Sequence, residues 1–520
     1  MQQQISQRRP GGRAVRLALR QTRGAAQAVG PGKRGGSYRP LSERDIERIH
    51  QTALDVLENI GMADPIPLTR ELALEKGCRI NEHGRLCFPR ALVEDVIAHA
   101  GRNFVRHARD PRHDLDVGDA RVHFGGGGEA TKVIDFASGR YRPSTLVDLY
   151  DMARLVDRLD NIHTFGRLVV ATEIADLFEQ DINMAYAALA GTSKSYGVGF
   201  ARGKHVGAAI TMFDIALGGE GRFRERPFCT FVGCPIVSPL RYGQHNSEVL
   251  IESARAGAPV DLVVAPQAGS TAPTALAGAL VQTTAETLAG LIMINLVSPG
   301  HPMVFGSWPF VSDLRTGAFS GGGGEEAVLT AAAAQIAHFY DLPCSVGAGM
   351  TDSKVPDNQA GFEKGVTTAL AGLAGANIIE EAAGFVASLF ACSFESFVID
   401  DDMLGMVQRA VRGVEVSDET LSYDVIEEVV LGPGHYLGHA QTLALMESEY
   451  FYPAVADRTT PDQWEERGSL DIRERAHTRA KEILSSHYPT YIEPRVDNEI
   501  RTRFPIHLGR EAMSPGCGRW

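Results

Sequence analysis

Between Leu41 and Met62, apolar residues recur at helical spacing. Ile46, Ile49, Ala53, Val56, Leu57 and Ile60 share a face behind the capping-box-like run Ser42-Glu43-Arg44-Asp45. The chain then breaks into short, turn-rich pieces up to Pro143. Arg79 to Pro89 alternates around His83-Gly84, and Val133 to Tyr141 turns at Ser138-Gly139, each as a hairpin does. Together these features predict a small α+β cap over residues 38–143.

A different rhythm follows. Short β-rich runs alternate with Ala/Leu-rich helical stretches at intervals of about 30–40 residues, as in βα units. The strand candidates are Ile162 to Val170, Ser195 to Val198, Cys229 to Val232, Val260 to Ala265, Met303 to Gly306, Cys344 to Gly347, Asn377 to Glu380 and Ser396 to Asp400. Helices are expected to begin near Ala175, Lys204, His245, Thr274, Glu325, Asp357, Gly384 and Met403. Eight strands and eight helices over residues 144–413 make the expected fold class α/β, a (β/α)₈ TIM barrel. An open, doubly wound sheet fits less well, because Arg167 to Asp176 holds no phosphate-binding glycine. Residues 414–520 read as a helical C-terminal extension, with Ile472 to Ser486 its clearest amphipathic stretch.

Charge narrows the choice of partners. A net charge of −13 over 520 residues argues against nucleic acid as the main partner. Arg8, Arg9, Arg13, Arg16, Arg20, Arg23, Lys33 and Arg34 all precede the first acidic residue, Glu43. Residues 1–37 therefore read as a disordered basic tail, a composition shared with transit peptides and polyanion anchors. The seven cysteines are scattered without Cys-x-x-Cys spacing, as in a reduced cytoplasmic protein. The best apolar stretch, Leu288 to Val297, falls short of the ~18–20 residues of a membrane span. A cytoplasmic location without a membrane partner is expected.

In a barrel, chemistry gathers at the carboxyl ends of the strands. Those ends are rich in Gly, Ser and Thr, carry the aromatics Phe200, Trp308 and Phe310, and crowd acids at Glu380-Glu381 and Asp400 to Asp402. An aromatic, negative pocket suits a tertiary or quaternary ammonium held by cation–π contacts. Trp308 and Phe310 could equally plug the rim. Neither Asp400 to Asp402 nor the His435/His439 pair has a convincing ligand arrangement, so no metal is expected. The runs Gly125 to Gly128 and Gly321 to Gly324 lack the Gly-Lys-Ser/Thr ending of a phosphate loop. They are expected to let a planar partner or another backbone come close.

The segments Thr351-Asp352-Ser353-Lys354-Val355-Pro356-Asp357-Asn358-Gln359-Ala360, Ala371 to Asn377, Ser396 to Asp400 and Gly434-His435-Tyr436-Leu437-Gly438-His439 stand in an order that resembles the trimethylamine methyltransferase (MttB-like) family. The resemblance runs from about Tyr38 to Pro494. It implies a barrel enzyme that takes a methyl group from a methylated amine and passes it to the corrinoid (cobalamin) of a separate corrinoid protein. The family's trimethylamine enzymes carry pyrrolysine, whereas relatives without it act on quaternary amines such as glycine betaine. This chain uses only the twenty ordinary residues, which shifts the expected donor towards a betaine. On that basis Phe200 and Trp308 would wall the cation, and Glu380 or Asp352 would balance its charge. Lys354 or His435 would take a substrate carboxylate, and a glycine-rich mouth that includes Gly349 and Gly324 would admit the corrin face. The rival expectations are a barrel lyase or hydrolase using Asp352, Lys354 and Glu380 as acid–base groups, and a betaine-binding protein. Oligomeric state stays open.

Overall fold

The helical periodicity behind Ser42 forms α1 (Glu43–Asp55), whose N-cap hydroxyl accepts from the Asp45 amide at 3.2 Å and whose buried face holds Ile46, Ile49, Ala53 and Leu54. The computed structural model describes residues 38–414 and 416–520, and the expected basic tail lies outside the described residues. Both anticipated hairpins form, Arg79–Ile80 with Leu86–Cys87 and Lys132–Ile134 with Tyr141–Pro143.

At the centre is a mixed α/β arrangement around a seven-stranded, all-parallel sheet. Its strands are β1 (His123–Phe124), β2 (Tyr196–Val198), β3 (Cys229–Gly233), β4 (Val260–Val264), β5 (Met303–Ser307), β6 (Cys344–Gly347) and β7 (Ile378–Glu380), in the order β1-β7-β6-β5-β4-β3-β2. The sheet curls until both edges meet the same short segment. Gly126 N donates to Thr164 O at 3.3 Å on one side, and Phe165 N donates to Ser195 O at 3.0 Å on the other. Gly166 makes this approach feasible, since a Cβ there would lie 1.9 Å from Gly126 O. The first glycine run thus serves a close backbone approach, one of its two expected uses.

The outer layer follows from the predicted helices. It comprises α2 (Leu146–Val156), α3 (Leu177–Gly191), α4 (Val206–Ala216), α5 (Gln244–Ala256), α6 (Leu276–Val297), α7 (Gly324–Phe339), α8 (Asn358–Leu373) and α9 (Phe394–Arg412). Two expectations are corrected here. Ser396 to Asp400 is not a strand but part of α9, capped by Ser393 Oγ accepting from the Ser396 amide. No helix starts at Gly384 either, where Phe385–Val386 and Ala391–Cys392 pair as a hairpin. The remaining sheet strand, β1, comes from the segment expected to be cap.

Helix α6 also revises the sequence reading. At 22 residues, it is the one helix among the described residues with the length and apolarity to cross a bilayer. Most of it is buried, packed on β4 and β5 and between α5 and α7. Midway along it, buried Glu286 accepts from Ser238 Oγ at 2.6 Å and Leu240 N at 2.7 Å. The amphipathic stretch near the C-terminus forms α10 (Ile472–Ser486), which packs on α9 and α2.

The three consecutive aspartates of α9 do separate structural jobs. Asp400 pairs with buried Lys364 at 2.6 Å and accepts from Gly384 N at 2.8 Å. Asp401 accepts from the Asn161 amide at 2.8 Å. Asp402 receives the amides of Ala454, Val455 and Ala456 at 2.6, 2.7 and 2.8 Å, fixing the returning chain to the helix.

Candidate active site

Strand alternation decides which side chains face the inside of the curl. In β4, Val260, Leu262 and Val264 join the main core with the helices, whereas Val263 packs with Trp308, Phe310 and Met350. Asp261 shares the inner face with Val263. It meets an arginine that arrives from far away in sequence. Residues Phe104–Arg106 pair with Leu115–Val117, and the hairpin seats Leu115 and Val117 on Val304 and Ile378. Arg106 is thereby buried inside the curl, its Nη1 3.3 Å from Asp261 and 3.4 Å from Glu380, while Nε donates to Ser195 Oγ at 3.2 Å. Thr230 Oγ1 donates to Asp261 at 2.6 Å and completes the floor.

Above this floor, towards the carboxyl ends of the strands, a cavity of about 480 Å³ opens. Phe200, Trp308 and Phe310 form its apolar wall, and Glu129, Asp261, Glu380, Glu381 and Arg167 contribute ionisable side chains. Trp308 is held by Nε1 donating to Ser345 Oγ at 3.1 Å, and its ring centroid lies 6.1 Å from that of Phe310. Phe200 rests on Phe231 at 5.1 Å. Arg167 is anchored by Nη1 donating to Gly199 O at 2.6 Å and by Glu129 at 2.9 Å from its Nε.

The carboxyls are far from their ordinary state. Burial pushes Glu380 up to about 7, against the pull of Arg106 and with a further push from Asp261. Burial lifts Glu381 well above the carboxylate range, and Glu380 and Glu129 add to it. Glu380 Oε2 and Glu381 Oε2 are both buried, and among the described residues neither has a hydrogen-bond partner. Orphaned carboxyl oxygens beside an aromatic wall are what a small organic cation can satisfy, its charge favouring ionisation of Glu380.

The residues expected from sequence divide cleanly. Phe200, Trp308 and Glu380 line this cavity. The other five lie outside its lining. Asp352 ties loops together, accepting from Ser320 Oγ at 2.6 Å, from Gly321 N at 2.9 Å and from Ser388 Oγ. Ser388 precedes Leu389, which lines the cavity. Lys354 is exposed, with Nζ donating to the Asp352 carbonyl at 2.5 Å. His435 sits exposed in a turn after the helix Tyr423–Leu431. Gly349 is buried with φ +97°, where a Cβ would meet Ala382 Cα at 2.6 Å, and Gly324 opens α7. His439, the other histidine of the spaced pair, caps the helix Ala440–Glu449 by accepting from Gln441 N at 3.1 Å.

Sequence reasoning missed Arg106, Asp261, Arg167 and Glu129. For Asp261 a signal existed, a lone acid in the strand Val-Asp-Leu-Val-Val. Arg106 offered none, since its partner Glu380 is 274 positions away.

Known proteins share this chain almost end to end. The profile of the family described as trimethylamine methyltransferase (MTTB) matches residues 9–506. The chain is 31% identical over 476 residues to the glycine betaine methyltransferase of Desulfitobacterium hafniense (strain Y51), covering 91% of this chain and 98% of that protein. It is 32% identical over 480 residues to a trimethylamine methyltransferase of the same species (strain DSM 10664 / DCB-2), covering 92% and 95%. A trimethylamine methyltransferase of Methanosarcina thermophila matches at 32% over 452 residues, covering 86% and 93%.

Proposed function

The chain belongs to the trimethylamine methyltransferase family and is a methyltransferase, and from that premise we propose that it moves a methyl group from a betaine-like quaternary amine to the corrinoid of a partner protein. The observation that carries the choice of donor is the cavity itself, an aromatic wall facing two unpartnered, buried carboxylate oxygens. In this reading the trimethylammonium head lies against Trp308, Phe310 and Phe200, and Glu380 supplies the counter-charge. Arg167, 15% exposed and aimed by Glu129 and Gly199, takes the substrate's carboxylate in place of Lys354 or His435. The corrinoid, as methyl acceptor, supplies the nucleophile. A quaternary nitrogen leaves as a neutral amine and takes the C–N electron pair with it, so the protein need not protonate it. The chain's own task is orientation and charge balance.

The scaffold we propose is a closed (β/α)₈ barrel, with residues 164–165 as the eighth stave. The hydrogen bonds from both sheet edges to that segment support closure. The lyase or hydrolase alternative is disfavoured by the position of Lys354, exposed and outside the cavity lining.

The test is spectroscopic. The protein is incubated with free cob(I)alamin and, separately, with trimethylamine, glycine betaine and longer carboxylated trimethylammonium compounds. Methylcobalamin should accumulate with a carboxylated donor and much less with trimethylamine. Absence of methylcobalamin with every donor would overturn the assignment.

A further inference from the structure

Glu381 breaks the alternation of its strand. Side chains along β7 point to opposite faces in turn, so the residue after inward-facing Glu380 should point out towards the helices. Its φ of +63° lies instead in the left-handed region that side-chain-bearing residues rarely adopt, and both acids line the one cavity. The first glycine run makes room for this. A Cβ at Gly127 would lie 2.8 Å from Glu381 Oε1, and one at Gly128 would lie 2.6 Å from Oε2. The next residue, Ala382, donates its amide to Gly125 O at 3.0 Å and fixes the turn. A strained residue at the cavity, cradled by glycines and 1% exposed, points to a group held there for chemistry.

The two neighbouring carboxyls have different surroundings. Glu380 has Arg106 at 3.4 Å. The ionisable groups that bear on Glu381 are all acids or thiols, namely Glu380, Glu129, Glu326 of α7, Cys234 and Cys392. Arg167 lines the same cavity but is drawn to Glu129 and to Gly199 O. At pH 8 the pair therefore divides into one carboxylate, Glu380, and one acid, Glu381, as in sites where two carboxyls take separate roles. Counter-charge to the donor occupies Glu380 and leaves the Glu381 proton free for another task.

We propose that Glu381 is a catalytic residue that hands a proton to the tertiary amine once the methyl group has left it. The inference rests on the reading of the donor as a betaine-like quaternary amine. A quaternary nitrogen has neither a proton nor a lone pair, so the bound donor makes no hydrogen bond with Glu381 at that atom. When the C–N bond breaks, its electron pair stays on nitrogen and the methyl group goes to the acceptor. The Glu381 O–H bond then breaks, its proton joins that pair in a new N–H bond, and the carboxylate left behind balances the ammonium. A free amine is a nucleophile able to take the methyl group back, and an ammonium is not. The proton thus commits the transfer, and Glu381 recovers one from water when the product leaves.

Proton counting tests this without any methyl acceptor. Glycine betaine and its demethylated product, dimethylglycine, are each titrated into the full-length protein at pH 8 by calorimetry, in two buffers of different ionisation enthalpy. Dimethylglycine enters as an ammonium and shares a single proton with Glu381 once bound, so its binding should release about one proton more than that of glycine betaine. Glu381→Gln should abolish that difference and weaken dimethylglycine binding about tenfold, while changing glycine betaine binding less than about threefold. Glu380→Gln should keep the extra proton. Glutamine matches the shape of the protonated acid, so Glu381→Gln should retain the wild-type circular dichroism, and the comparison of the two ligands on the wild type stands without it. Equal proton release by both ligands on the wild type would overturn the inference, as would an extra proton that survives Glu381→Gln. Failure of both ligands to bind would instead overturn the betaine-like donor itself.

Discussion

Glu380 answers to two opposing demands. Burial favours its neutral form, and the proposed ligand favours its charged one. With its folded value raised from 4.5 to about 7, the ionised carboxyl costs stability that accrues as pH rises between those two values. The cost is on the order of 3 kcal/mol once the group is fully ionised. Glu380→Gln should therefore gain thermal stability relative to the wild type at pH 8 but not at pH 5, measured by calorimetry at both. In activity the sign reverses. KM for a cationic donor should fall in the wild type as pH rises through 7, and should stay flat and about tenfold higher at pH 8 in the variant, the equivalent of ~1.4 kcal/mol. A pH profile shared by both proteins would remove Glu380 from the site. At this scale the sequence told half the story. Glu380, Trp308 and Phe200 were legible because strand ends can be read locally. Arg106 was not, because its burial depends on a hairpin packing across the inside of the curl.

Elements were legible where their periodicity was long. Six of the seven sheet strands and most of the helices that flank them lie where apolar runs predict. β1 escaped notice because two residues among glycines carry no pattern. α9 was misread for a different reason. Its buried stripe of Phe394, Phe397, Val398, Leu404 and Val407 is helical, but Asp400 to Asp402 interrupt it, and Ser-Phe-Val-Ile-Asp taken alone alternates like a strand. Those acids are buried because each has a partner, which one-dimensional hydropathy cannot see. Asp402 is the most telling. It receives three backbone amides, and hydrogen bonds to a charged acceptor are worth about 1.5–3 kcal/mol each. Asp402→Ala should lower stability by ~3 kcal/mol or more by chemical denaturation, and should speed amide exchange at residues 454–456 ahead of the rest of the chain. Uniform exchange across the chain would mean that the contact holds nothing together.

At the scale of the whole molecule, the expectation of eight βα units met a curled parallel sheet of seven strands. The count reached eight by including a helix and omitting β1. Closure now depends on residues 164–165, bonded to β1 on one side and to β2 on the other. Amide exchange can check it. The Phe165 and Gly197 amides should be protected to the level of β3 and β4 if the barrel is closed, and should exchange like a free sheet edge if it is open.

Helix α6 has a consequence before the protein is folded at all. As it leaves the ribosome, residues 276–297 form an apolar run of membrane-spanning length, and the β-strand and helix partners that later cover it are not all yet made. Glu286 interrupts that run near its middle, and a carboxylate at a bilayer centre costs about 2.5–3.5 kcal/mol on insertion scales. That side chain accepts from Ser238 and Leu240 in the finished core. One carboxyl thus serves as a hydrogen-bond acceptor in the folded core and would set a desolvation cost against membrane insertion of the unfolded segment.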